Sequence, residues 1–255
     1  MARCFNIIII LIMIEIPFLV SLFLSLFAGL YDLKTSDVHE EIPTLMISFG
    51  LFYWFISSLI FKNPILFYNS LIFGFFFLLF GIILFKLKMW GDGDAWILGG
   101  IGFLVPFQNF FHCIIFLVFL FIIGTFYSLI YILIYGLRSK KIKKKFILEF
   151  NKYKSFYLGF LLISIAVSFY YPFFLLIGIL PILYIYSKII EKNMKKKVKV
   201  SELREGDVLA NGKIVGLTRE EIEKLKKEKK WVEIQDGVRF TIVFPITIIS
   251  IYLSL

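Results

Sequence analysis

Residues 87–96 read LKMWGDGDAW and place two carboxylates, Asp92 and Asp94, in a glycine-rich step between two apolar stretches. A third, Asp32, stands at the end of the first apolar run, where the polar segment YDLKTSDVHEEIP (31–43) begins. Two carboxylates held close together cannot easily both ionise, so one keeps a proton. Such a pair can hydrolyse an amide: one member activates water while the other protonates the carbonyl or the leaving amine. Gly91 and Gly93 suit this use, because glycine lets the backbone turn sharply and leaves no side chain between Asp94 and an extended substrate. Plainer readings exist. Asp32 can be a polar helix end, Asp94 an N-cap, and Asp92 with Asp94 a D-x-D pattern for a cation.

The elements that must position these groups follow from composition. The chain has 255 residues, 60% of them hydrophobic and 32 of them phenylalanine, and its mean hydropathy is +0.88. A soluble domain of this size does not bury so much apolar surface, so the surrounding medium is largely lipid. The N-terminal run carries one early basic residue, Arg3, has no small-x-small cleavage site and continues past position 25. It reads as a first span rather than a cleaved leader. Hydropathy predicts spans at about 6–30, 44–61, 65–85, 94–105 and 110–136. Residues 155–187 are apolar for about 50 Å of helix against a core of about 30 Å. Pro172 in SFYYPF divides them into a hairpin of 155–170 and 172–188.

Charge orients these spans. The net charge is +10. Residues 138–154 carry eight Lys/Arg against Glu149, and 188–199 carry six lysines against Glu191. These read as cytoplasmic, positive-inside loops in contact with anionic lipid rather than as a nucleic-acid site. The N-terminus then faces out, and loop 31–43 and the 86–93 turn both face the cytoplasm. Asp32 and Asp94 therefore end up on different helices at one membrane depth.

The expected fold class is an all-α polytopic membrane protein of about seven to eight transmembrane helices with a small α+β cytoplasmic module near the C-terminus. The expected division is a catalytic transmembrane domain at 1–190, the module at 191–238 and a C-terminal apolar helix at 239–255. In the module, VKVSEL, DVLANGKIVG and WVEIQDGVRF read as strands, Asn211-Gly212 as a hairpin turn, and Thr218 with Glu221 as a capping box opening a charged helix.

The GDGD of 91–94 entering a membrane helix resembles the GxGD pattern of intramembrane aspartyl proteases. Segment 31–43 resembles the stretch after the first span in the type IV prepilin peptidase branch, and 199–239 is similar to the C-terminal module of archaeal preflagellin peptidases. The resemblance covers most of the chain. It implies a membrane-embedded aspartic endopeptidase with Asp32 and Asp94 as the catalytic pair, cleaving the basic leader of preflagellins or type IV pilin-like proteins at the cytoplasmic face of the cytoplasmic membrane. It implies no cofactor and no metal. Trp96 stands where family members often carry a lysine. Tyr31-Asp32 also resembles the YD motif of presenilin-type proteases, but no Pro-Ala-Leu follows. Two isolated cysteines, Cys4 and Cys113, cannot supply the cysteine-rich insert of bacterial prepilin peptidases, so methyl transfer is not expected.

Several other residues bear on function. Asp37, Glu40 and Glu41 lie just beyond Asp32 and could attract a cationic leader, or merely solvate the loop. Glu15, inside the first span, is about 25 Å along a helix from Asp32 and cannot join the pair. A transporter or proton channel would use Asp32, Asp94 and Glu15 as a relay, but acids clustered at one face favour the protease. A non-catalytic assembly factor would explain the hydropathy without the paired aspartates. His39 and His112 stand singly, and no His/Cys cluster has metal-ligand spacing.

Overall fold

The computed structural model describes residues 2–87, 89–105, 107–203, 207, 209–210, 217–235 and 237–253. The turn expected at Asn211-Gly212 and the side chain of Cys4 lie outside what is described. In chain order the helices are α1 Ala2–Thr35, α2 Glu41–Phe61, α3 Ile65–Lys86, α4 Asp92–Leu104, α5 Phe110–Arg138, α6 Lys140–Lys152, α7 Lys154–Ser168, α8 Phe174–Glu191, α9 Arg219–Glu228 and α10 Val243–Tyr252. The strands are β1 Lys195–Lys199 and β2 Trp231–Gln235. The chain divides into two compact units, Met1–Ser128 with Arg239–Leu255, and Leu129–Val238.

Four stretches among the described residues are long and apolar enough to cross a membrane: Glu15–Thr35, Glu41–Phe61, Ile65–Lys86 and Phe110–Arg138. Lys154–Ser168, Phe174–Ile190 and Val243–Tyr252 are apolar but shorter. Outward-facing residues of the long helices are large and apolar, such as Phe23 at 72% exposure. Inward-facing ones include Ser21, Ser25, Ala28, Ser57 and Ser70. This polarity suits lipid outside and close helix packing inside.

In the first unit α4 is the central element, packed against both α2 and α3. Its thirteen residues, DGDAWILGGIGFL, form a helix of only about 20 Å. Small residues let its neighbours approach. A methyl on Gly102 would lie 2.7 Å from the Phe73 carbonyl oxygen, and one on Gly100 would lie 2.9 Å from Met46 Cβ. From the partner side, a methyl on Gly50 would meet the Phe103 carbonyl oxygen at 2.6 Å. The last carbonyls of a helix have no partner within it. Here Trp54 Nε1 of α2 donates to the Leu104 carbonyl at 3.1 Å, and Ser70 Oγ of α3 donates to that of Phe103 at 2.7 Å.

Helix α1 runs further than its hydropathy suggests. The expected span ended near residue 30, whereas the helix continues to Thr35 and takes Asp32 into its last turns. The Thr35 hydroxyl donates to the Tyr31 carbonyl at 2.9 Å. Ser36, at φ 59°, then breaks the helix in the left-handed region.

In the second unit, the basic segment expected as a loop contains helix α6. Its apolar residues Ile142, Phe146 and Phe150 recur every four positions, the spacing of one helix face. Ile142 is buried in a cluster with Ile190 and Met194, and the Ser139 side chain caps the helix by accepting from the Ile142 backbone N–H. Helices α7 and α8 pack as the expected hairpin, with Gly178 against Ser164. Strands β1 and β2 are antiparallel, with Val198 opposite Val232, and Leu209 adds an isolated bridge to Ile234. The first strand begins earlier than expected and gives way to a 3-10 turn at Val200–Glu202. Of WVEIQDGVRF, Trp231–Gln235 are strand and 237–240 are not. The Thr218/Glu221 capping box is present. Val198, Val200, Leu203, Leu217, Ile222 and Val232 form the small core.

Candidate active site

Three separate segments build this site. Helix α1 supplies Asp32 from its last turns. Helix α4 supplies Asp94 from its first turn, and the approach to α10 supplies Arg239, Phe240 and Thr241. All lie in the first unit.

Asp32 and Asp94 are both buried, at 7% and 9% exposure. A buried carboxylate needs hydrogen-bond donors. Thr241 serves both of them. Its backbone N–H donates to Asp32 Oδ2 at 3.2 Å, and its hydroxyl donates to Asp94 Oδ1 at 2.7 Å. Thr241 is itself buried, at 1% exposure. One residue thus joins two carboxylates 62 positions apart in the chain.

The N-cap of α4 is Gly91, so Asp94 occupies the third helical position. This disposes of the N-cap reading of Asp94. From that position the Gly91 backbone N–H also interacts with its carboxylate, as in the second half of a capping box. Asp92 is exposed, and its Oδ1 accepts from the Gly93 backbone N–H at 2.8 Å. The two acids of the D-x-D pattern therefore engage different partners, one at the surface and one inside. Among the described residues no group of three or more His, Cys, Asp or Glu is gathered for a metal ion.

The glycines differ from the expected sharp turn. Gly91 has φ −71° and ψ 159°, values any residue adopts, and a methyl there would make an ordinary 3.5 Å contact with Asp94 Oδ2. Gly93 is already helical. Its role is spatial: a methyl would lie 2.6 Å from Val38 Cβ. Val38 belongs to the segment that leaves α1 just after Asp32, so Gly93 brings that segment onto the start of α4.

Arg239 secures the other side. Its guanidinium donates through Nη1 to the Leu33 carbonyl and through Nε to Ser36 Oγ at 3.1 Å. A cation at a helix C-terminus meets both unpaired carbonyls and the negative end of the dipole. Phe240 turns into an aromatic group, with its ring 5.2 Å from that of Trp90 and 6.0 Å from that of Phe244. Ile242 packs on Gly29, where an added methyl would meet its Cα at 2.7 Å.

Of the acidic loop residues, Glu40 and Glu41 are exposed and Asp37 is half-buried. His39 lies 3.2 Å from Glu41 and places its ring 4.3 Å from that of Tyr31. Glu15 opens the Glu15–Thr35 stretch at the end opposite Asp32, and there the Tyr252 hydroxyl lies 3.5 Å from its Oε1. It is therefore no part of the paired aspartates.

Sequence reasoning missed Thr241 and Arg239. Their only signal is position: RFT stands between the charged module and the final apolar run.

Residues 19–137 match the type IV leader peptidase family. No curated protein and no solved structure matches the chain. The matched segment includes both aspartates and stops about a hundred residues before Thr241.

Proposed function

We propose that this chain, whose residues 19–137 match the type IV leader peptidase family, is an aspartic endopeptidase of that kind that uses Asp32 and Asp94 as its catalytic pair. The observation that supports the reading is their shared hydrogen-bond partner, Thr241, in a buried setting. With one proton between them, one carboxylate takes a proton from the attacking water. The other gives its proton to the carbonyl oxygen; as the tetrahedral intermediate collapses, the proton taken from water passes to the leaving amine and the diol hydroxyl returns one proton to the pair. No covalent intermediate and no metal is needed.

The substrates in this proposal are preflagellins or type IV pilin-like proteins, cut between a basic leader and the hydrophobic helix that follows. The protein sits in the cytoplasmic membrane with about seven to eight crossings, its N-terminus outside, and the site open to the cytoplasm. The positive charge of 138–154 and 188–199 supports this orientation. Asp37, Glu40 and Glu41 draw the cationic leader toward Asp32.

Co-expression with preflagellin and prepilin substrates tests the reading. The wild-type chain shortens at least one of them on a gel, and Asp94→Asn leaves it full length. A wild-type protein that accumulates in membranes yet cuts none of a broad substrate panel overturns it.

A further inference from the structure

The aspartates come from helices brought together by packing, but packing alone does not aim their carboxylates. That task falls to a segment beyond the family match. Three ties hold Arg239–Ile242 across the site: Arg239 on the last turn of α1, Ile242 on Gly29, and Phe240 on Trp90. With its backbone held at both ends, Thr241 has little freedom to move. Its N–H and hydroxyl are the donors to Asp32 and Asp94 respectively.

From this geometry we infer that Thr241 is the positioning residue of the aspartate pair, and that the C-terminal strap Arg239–Ile242 is required to assemble the site. The inference rests on the protease reading for its kinetic consequence, but not for its chemical one. A hydroxyl donor favours the charged form of the carboxylate it bonds. It also fixes which oxygen of Asp94 faces Thr241. The backbone N–H does the same for Asp32, and no side-chain substitution removes it. The hydroxyl is the separable half of the clamp.

Thr241→Val keeps the shape and the backbone donor while deleting the hydroxyl, and Thr241→Ser restores it. With full-length protein in membranes, Thr241→Val is expected to lower kcat for leader cleavage by about tenfold or more. KM should hold within about threefold, and the pH–rate profile should be displaced. Thr241→Ser stays within about threefold of wild type in kcat. A second reading needs no cleavage. Dicyclohexylcarbodiimide modifies protonated carboxyl groups in apolar surroundings, and mass spectrometry counts the modified Asp94. Loss of the donor raises that labelling at neutral pH in Thr241→Val and leaves Thr241→Ser near wild type. If Thr241→Val fails to accumulate, the smaller Thr241→Ala carries the same two readings. Wild-type kcat, pH profile and labelling in the hydroxyl-free variant overturn the inference. So does an equal defect in Thr241→Ser, which would assign the role to packing. If the wild-type chain cleaves nothing, the protease reading fails, while the labelling contrast still decides the clamp.

Discussion

Gly93 and Val38 approach so closely that a single methyl on Gly93 would sit 2.6 Å from Val38 Cβ. Through this contact the segment that follows Asp32 rests on the first turn of the helix that carries Asp94. The motif glycine therefore acts on the opposite side of the site from its own helix.

A contrast between the two motif glycines follows. Gly93→Ala forces Val38 and its segment away and displaces Asp32 relative to Asp94, so processing should fall by about a hundredfold. Gly91→Ala meets only an ordinary contact and keeps an allowed backbone, so processing should stay within about threefold of wild type. Initial rates of leader removal check both, and equal rates in the two variants would refute the assignment.

The three aspartates should separate in the same assay. Asp32→Ala and Asp94→Ala each abolish processing, because a pair needs both an acid and a base. Asp92→Ala retains most of it, since the exposed Asp92 side chain engages the Gly93 backbone and not Thr241. Full activity in either of the first two, with normal accumulation, ends the mechanism. Loss in all three points instead to a shared three-acid site.

Chelation and pH probe the chemistry without mutation. Activity should be indifferent to EDTA, because two coupled carboxylates supply both proton transfers. Activity plotted against pH should be bell-shaped: it falls at low pH as both carboxyls become protonated and at high pH as both lose their protons. Activity lost in EDTA and restored by a divalent ion would establish a metal enzyme.

The far end of α4 offers a stability test. Ser70→Ala leaves the Phe103 carbonyl without its buried donor, at a cost of about 1–3 kcal/mol. Thermal unfolding of purified protein in detergent should show the lower midpoint. An unchanged midpoint would mean that the packing at Gly50, Gly100 and Gly102 alone holds α4.

Charge neutralisation tests the acidic loop. Replacing Asp37, Glu40 and Glu41 by Asn or Gln should raise KM for a basic leader much more than it lowers kcat. The difference from wild type should shrink at high salt. A leader with its lysines neutralised should not distinguish the two enzymes. Equal KM at low salt would reduce these acids to a solvated loop.

Local chemistry made much of this protein legible from its residues. Uninterrupted apolar runs mark the long helices, since a lipid-exposed backbone must satisfy its own hydrogen bonds. The Thr218/Glu221 capping box is likewise local, complete within four residues. Asp32 and Asp94 stand out as candidates because carboxylates beside apolar runs are costly without a use. The helix in 138–154 was concealed by its lysines, since six of its thirteen positions suggested a loop and its apolar stripe is short. Thr241 was invisible for a different reason. Its meaning depends on contacts with residues 209 and 147 positions away, and a threonine in RFTIVFP carries no pattern that points to either. Tertiary packing alone decided which donor the buried carboxylates share: their burial creates the need for one, and the fold brings the strap to that place.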